Sequence, residues 1–415
     1  MGPSVRSLLW FAAGALASVA GPVCGQDRMF GAGTLSGQID VRLVSADGEA
    51  AWVDGGFGKL RSGDVTGVLP AEAALAWHPR LTDAVTATVT LAAQDGADPV
   101  VDVGEAYVSW RGAAGPADVS VRGGLFWPPV SLEHDGLLWA VPDSITPSAI
   151  NSWVGEELKS VGVEATARGD LGGQGLAATA GVFGHGDTAG TLLTFRGWAL
   201  HDLKASARGV MPLPPLSPYL AARQAPFTTS VLELDQRLGV YGRLEWRPRP
   251  ALGLSVFGYD NDGDRTSSNA DNEWAWDTRF VQLGLDWRLD GRTRLRGQVL
   301  DGETAMGFTN SALQQIWVDV GFSAAYLSVT RDWGPGALTS RLDLFRVHDR
   351  TLTALDNNDE DGHAAMIAYR WDVAPQAHLV FEGLRVVSDR PSRVLAGLSA
   401  RQTQTQLQLA MRYEF

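Results

Sequence analysis

Along most of the chain, apolar and polar residues alternate in short runs broken by turn-forming residues. The last run is the clearest. Thr403, Thr405, Leu407, Leu409, Met411, Tyr413 and Phe415 share one parity, while Gln402, Gln404, Gln406, Gln408, Ala410, Arg412 and Glu414 share the other. A period of two predicts β-strands with one apolar and one polar face. Five such runs close on a tryptophan followed at once by a short polar turn: Trp77, Trp110, Trp246, Trp287 and Trp371. In four of them the tryptophan shares parity with the apolar side, as in Leu75/Trp77, Leu244/Trp246, Leu285/Trp287 and Ile367/Trp371. Two readings compete: core tryptophans of a large soluble β-protein, or a girdle of amphipathic rings at a membrane–water interface. Repetition of one strand–Trp–turn grammar favours the girdle.

The turns sort into two alternating lengths. Short ones fall at 78–83, 112–117, 169–174, 247–251, 288–292, 332–336 and 373–376. Long ones fall at 46–65, 94–99, 128–155, 184–235, 261–272, 303–313, 350–362 and 388–400. These connections predict sixteen strands, the first near 35–44 and the last near 401–415. Lipid offers no hydrogen bonds to a free sheet edge, so an all-β chain in a membrane must close. The expectation is one 16-stranded antiparallel transmembrane β-barrel with long extracellular loops, short periplasmic turns and both termini on the periplasmic side. Sixteen strands leave room for an aqueous channel. A parity change around Ser323–Ala325 is read as a β-bulge.

Arg6 precedes an uncharged stretch from Ser7 to Gln26 with an apolar core at 8–20. That core is shorter than the ~20 residues of a membrane helix and fits a secretory signal peptide. The expected division is a signal peptide at 1–25 and the barrel at 26–415. Cys24 also invites a lipoprotein reading, which Pro22-Val23 fits poorly. The glutamine-lined last strand and its aromatic end, Phe415, resemble the terminal assembly signal of outer-membrane β-barrels. The localisation implied is the bacterial cell outer membrane.

The face opposite the apolar one carries Asp40, Arg42, Asp118, Arg122, Glu164, Arg168, Arg237, Arg243, Glu245, Arg247, Asp286, Arg294, Arg296, Arg341, Asp343, Arg370 and Arg412. A charge facing lipid at mid-depth costs about 2–4 kcal/mol, so these residues must face water or one another. They describe either a salt-bridged wall or a track that offers anions two-pronged donors. Acidic residues interleave with the arginines, which predicts a polar pore of weak selectivity. Arg122, Arg168, Arg243, Arg294 and Arg296 are the candidate channel-lining residues. The loop 128–155 holds Glu133, His134, Asp135, Trp139, Trp153 and four prolines. Prolines stiffen a loop and long loops are commonly functional, so this one is expected to fold inward, with Glu133, His134 and Asp135 at a constriction. The loop 184–235 is a second candidate, to cover or plug the mouth.

Composition narrows the classes further. The net charge of −13 excludes a general nucleic-acid binder. A single cysteine excludes a disulfide framework, a cysteine zinc site and an iron–sulfur cluster. Mean hydropathy of −0.04 suits a chain in which every second residue meets lipid. Only Lys59, Lys159 and Lys204 are lysines, a skew that base composition also produces. No GxSxG elbow is present, and the seven histidines form no metal-type pair, so no catalytic residue, metal site or cofactor is assigned. The acidic runs at 260–264 and 356–361 lack the register of a calcium loop and read as solvated turns able to bridge lipopolysaccharide through divalent cations.

One segment carries a family resemblance: Arg122-Gly123-Gly124-Leu125-Phe126-Trp127-Pro128-Pro129-Val130-Ser131-Leu132-Glu133. It resembles the strand-to-loop segment of the phosphate-selective porin O and P family, with Trp127 in place of a lysine. The resemblance implies porin architecture and activity; without the lysines it does not imply phosphate selectivity. The function expected is a water-filled outer-membrane channel for passive diffusion of small hydrophilic solutes. The alternatives are an anion-specific channel, or an outer-membrane enzyme or adhesin. Expected partners are the lipid bilayer and lipopolysaccharide, the outer-membrane barrel assembly machinery and, as an assembly, a homotrimer.

Overall fold

The computed structural model describes residues 26–31, 33–312, 314–351 and 356–415. The expected signal peptide, residues 1–25 with Cys24, lies outside the described residues. Strands β1 (Leu35–Ala46), β2 (Val65–Trp77), β3 (Val85–Gln94), β4 (Val101–Ala114), β5 (Ala117–Phe126), β6 (Ser160–Leu171) and β7 (Gln174–Gly184) come first. A small hairpin, β8 (Val210–Pro212) and β9 (Phe227–Thr229), lies within the next long loop. The barrel resumes with β10 (Gly239–Arg249), β11 (Leu252–Asp260), β12 (Asp277–Arg288), β13 (Thr293–Asn310) and β14 (Gln315–Trp333). It ends with β15 (Gly336–Asp349), β16 (Glu360–Ala374), β17 (Ala377–Asp389) and β18 (Arg401–Glu414). Leaving out the small hairpin, sixteen strands pair antiparallel in a closed ring, sealed where β1 meets β18 from Gln38↔Glu414 to Ala46↔Gln406. Among the described residues no helix is long and apolar enough to cross a membrane.

The alternation places outward residues such as Val163, Leu244, Leu283, Leu342 and Leu407 on an exposed apolar belt. At the rim of short turns, Trp110, Trp246, Trp287, Trp371 and Phe415 are 42–45% exposed. Trp77 is more covered, because Phe30 stacks on it at 5.3 Å and its Nε1 donates to the Met29 carbonyl at 2.6 Å. Phe415 and Gly37 exchange backbone hydrogen bonds at 2.9 and 3.0 Å. The Phe415 ring lies where a side chain at Gly37 would stand.

Two expectations need correction. The predicted long loop at 303–313 is mostly strand, since β13 runs on to Asn310. The predicted bulge at Ser323–Ala325 is absent: β14 pairs with β15 in unbroken register there. The irregularity sits instead between Met306 and Thr309, at Gly307 with φ +90°. The parity change has another cause. Val318, Val320, Phe322 and Ala324 point into the barrel and are buried, so the lumen face itself turns apolar in the long-loop half.

Candidate functional site: the barrel interior

Toward the short-turn rim the interior is charged and partly open. Gly175, Ala177, Gly253, Ser255 and Gly284 share the lumen face with the charged positions of β10 and β12, so little side-chain bulk fills this side. Arg168 is exposed there. Arg294 makes a two-pronged contact with Asp286 at 2.6 and 2.8 Å, and Arg247 reaches the same carboxylate at 4.0 Å. The Arg243 Nε stands 2.9 Å from Glu245. Arg122 grips Glu164 at 2.9 and 3.1 Å and lies over the Phe126 ring. Arg122, Arg243 and Arg296 are therefore largely covered, whereas Arg168 and Arg294 remain in contact with open space.

The loop between β5 and β6 folds inward, as its prolines led us to expect. The structure divides its three candidate residues. The Glu133 carboxylate is buried and accepts from Ser148 N at 3.0 Å, Ser148 Oγ at 2.6 Å and Asn151 Nδ2 at 2.5 Å, with Arg341 at 3.4 Å. Ser148 in turn caps the helix Ala149–Glu157, so Glu133 holds the loop's shape. His134 stacks on Trp139 at 4.0 Å and meets Ser131 Oγ at 2.8 Å. Asp135 alone projects into open space, its side chain 56% exposed, 3.0 Å from Arg296 and 3.9 Å from Arg294. Trp127 is buried with Lys159 Nζ over its ring at 3.3 Å.

Three inward segments meet in the long-loop half: 46–65, 126–160 and 184–239. Trp52, Trp153, Trp198 and Phe195 join Phe257, Phe280 and Phe322 of the wall in one apolar core. Ion pairs lock the segments together inside it. Glu156 takes a two-pronged contact from Arg196 and lies 2.6 Å from His201 Nε2. Glu157 accepts from Trp153 Nε1 at 2.6 Å and from the backbone N–H groups of Gly190, Leu192 and Leu193. Lys59 meets Glu360 at 2.5 Å and donates to the Arg196 carbonyl. Asp202 joins Arg42 at 2.6 Å and Arg61 at 2.9 Å, and Lys204 meets Glu72 at 2.7 Å. Burial, with Glu156 alongside, raises the Glu157 carboxyl to about 7 against the pull of its N–H donors. Burial lowers Lys59 to about 7 despite Glu360.

Sequence reasoning missed this interior plug as a unit. The available signal was the lysine scarcity: all three lysines are buried in its ion pairs and carbonyl contacts. Among the described residues one acidic group, Asp187, Glu233 and Asp235, brings its oxygens within 4.8 Å of one another. Those carboxylates accept backbone N–H groups of their own loop and of Asp264.

No known protein family and no curated protein matches the chain. Solved structures do match. An anion-selective porin from Comamonas acidovorans aligns over 92% of this chain and 99% of its own, with 13% identity and a TM-score of 0.53. OmpT, an outer membrane protein of Vibrio cholerae, aligns over 92% and 97%, with 9% identity and a TM-score of 0.50. Its loop L8 deletion mutant aligns over 92% and 98%, with 9% identity and a TM-score of 0.51. At these identities the likeness concerns the fold. The fold it shows, a closed sixteen-stranded antiparallel β-barrel, carries here an exposed apolar belt and so has the architecture of outer-membrane barrels. Membership of the phosphate-selective porin O and P family gains no support beyond the segment 122–133.

Proposed function

We propose that the chain is a porin-type channel through which small hydrophilic solutes and ions diffuse passively, with weak selectivity. The observation that supports it most is the charged space below the inward loop. There Asp135 stands exposed between Arg294 and Arg296, and Arg168 and Arg247 face a side built from glycine, alanine and serine. Such a wall suits water and ions and has no use in a dry scaffold. Arginines attract anions; Asp135, Glu245 and Asp286 oppose them. Fixed charges of both signs at short range largely cancel beyond the Debye length of about 8 Å at physiological salt. The plug of three loops limits the passage to small species. The lipid bilayer with lipopolysaccharide, the barrel assembly machinery and a homotrimer complete the reading as partners.

Conductance of the purified protein in planar bilayers tests it. Small, steady KCl currents without substrate or energy source are expected, with a reversal potential close to zero in a salt gradient. Strong anion selectivity saturable by phosphate would replace this reading with the anion-specific channel. Correctly folded protein that carries no current would remove the channel and leave an enzyme or adhesin.

A further inference from the structure

The lumen wall differs around its circumference. From β10 to β16 its long-loop half is dominated by Tyr241, Phe257, Phe280, Phe322, Phe345 and Met366, all packed into the plug core. From β18 through β1 to β2 polar residues dominate, broken by Val44, Ala46, Ala74, Ala76 and Ala410. Gln402, Gln404, Gln406 and Gln408 line β18, Asp40 and Arg42 line β1, and Glu72 lines β2. The plug meets this side at two small apolar clusters, Ile145 with Ala410 and Leu138 with Ala74, and otherwise through polar groups: Lys59 N donates to Gln404 Oε1 at 2.6 Å, and Lys204 binds Glu72.

Several atoms on this side lack a partner within the protein. Both amide atoms of Gln402, Oε1 of Gln406, Oε1 of Glu72 and Oδ1 of the facing Asn151 make no hydrogen bond. Their residues are only 0–5% exposed. Asn151 is not misoriented, since its Nδ2 lies within 3.1 Å of oxygens of Glu133, Ser148 and Gln298, all able to accept its two N–H bonds. A buried polar group left unpaired costs about 1–3 kcal/mol, and ordered water is the usual remedy. Glu72 and Asn151 both line one small cavity of about 10 Å³, along with Asp40, His201, Lys204 and Arg412. That is roughly the room a single water needs.

We propose that the passage past the plug is a hydrated seam between the wall β18–β1–β2 and the inward loops, narrowest at the Glu72–Asn151 cavity. This rests on the channel reading and adds a route to it. Four of the five unpaired atoms are acceptors, so donors fill the seam: water, and small ions carried with it. The aromatic wall opposite, where only isolated atoms such as Tyr259 Oη and Trp276 Nε1 are unpaired, offers no comparable line of polar side chains.

Cysteine accessibility tests the route in full-length protein on a Cys24→Ser background, because the chain has no other cysteine. Gln402→Cys and Gln406→Cys are treated with a trimethylammonium-ethyl methanethiosulfonate, and so is Ala324→Cys, which faces the lumen on the aromatic side. Both seam variants are expected to be labelled by mass and to lose KCl current, with Ala324→Cys unlabelled. An inert Gln406→Cys in a protein that conducts like the parent would overturn the route, as would equal labelling of Ala324→Cys. If the parent carries no current, the channel reading fails, but labelling still decides whether the seam is hydrated. Heat-modifiable migration checks folding. Should a cysteine variant fail that check, Gln406→Met replaces it, and an undiminished current then counts against the route.

Discussion

Trp153→Ala should open the barrel without dismantling it. Trp153 is fully buried at the meeting point of plug and wall. Its ring packs edge-on against Trp198 at 5.9 Å, Phe280 at 5.4 Å and Phe322 at 5.2 Å. Its Nε1 donates to Glu157 at 2.6 Å, so truncation also strips that carboxylate of a donor. Removing a buried tryptophan typically costs about 3–5 kcal/mol. At about 1.4 kcal/mol per tenfold, a mid-range loss shifts the packed-to-released equilibrium of the plug by roughly a thousandfold. The wall keeps its strand pairing, because no backbone hydrogen bond of the ring of strands is touched. Bilayer recordings should show larger and more frequent conductance steps, and limited proteolysis should cut within 184–239 while heat-modifiable migration stays normal. Trp246→Ala, on the lipid side at 45% exposure, serves as control and should leave the steps unchanged. Parental conductance and parental protease resistance in Trp153→Ala would refute the idea that this aromatic junction holds the plug.

Asp135→Asn should shift permeability toward anions, read as the reversal potential in a KCl gradient, because it removes the negative charge beside Arg296 and Arg294; with the Asp135 carboxylate exposed, the change should cost about 1 kcal/mol of stability. Glu133→Gln should instead loosen the loop, read as faster amide exchange of the helix Ala149–Glu157, because Ser148, Asn151 and Arg341 all converge on that carboxylate. Plug stability should pass through a minimum near pH 7. Glu157, raised from 4.5 to about 7, keeps its proton in the packed state, so stability falls as pH climbs through that window; Lys59, lowered from 10.5 to about 7, binds fewer protons packed than released, so stability recovers from pH 7 toward 10.5. A flat pH profile of protease resistance across 184–239 would count against both assignments. Deleting Phe415 should strand protein in the periplasm, since its backbone and ring close on Gly37 at the seal of the barrel; outer-membrane fractionation reads the loss.

The strand count was legible because lipid imposes apolar residues on one parity of every strand, and the short turns marked each return. That legibility failed where the second face also became apolar. In β14 the inward Val318, Val320 and Phe322 mimic a change of parity, although the register with β15 is unbroken from Val320 to Trp333. The inward loop was readable from its prolines, but not the separate fates of Glu133 and Asp135. Two residues apart in an irregular loop, one is sealed under Ser148 and the other faces open space. That 184–235 could plug the mouth was readable from its length, but the joint core of the plug was not: it joins residues such as Trp52, Trp198 and Phe322, which only the closed wall brings together.

All three inward segments precede β10, whereas the aromatic wall they pack against is mostly supplied by β11 to β16. Phe257, Phe280, Phe322 and Phe345 therefore have nothing to cover them until earlier parts of the chain are in place. This sets an order of assembly. The second half of the barrel is a curved sheet with apolar groups on both faces, fit neither for water nor for an empty lumen, and we expect it to mature by wrapping around the loops already formed. The polar face of β18 is suited to being the last strand in, because its glutamines close on the hydrated side and need no apolar partner. Pulse-labelling during insertion should find 184–239 protected before β18 pairs with β1. Pairing of β1 with β18 around an unprotected interior would show that the wall forms first.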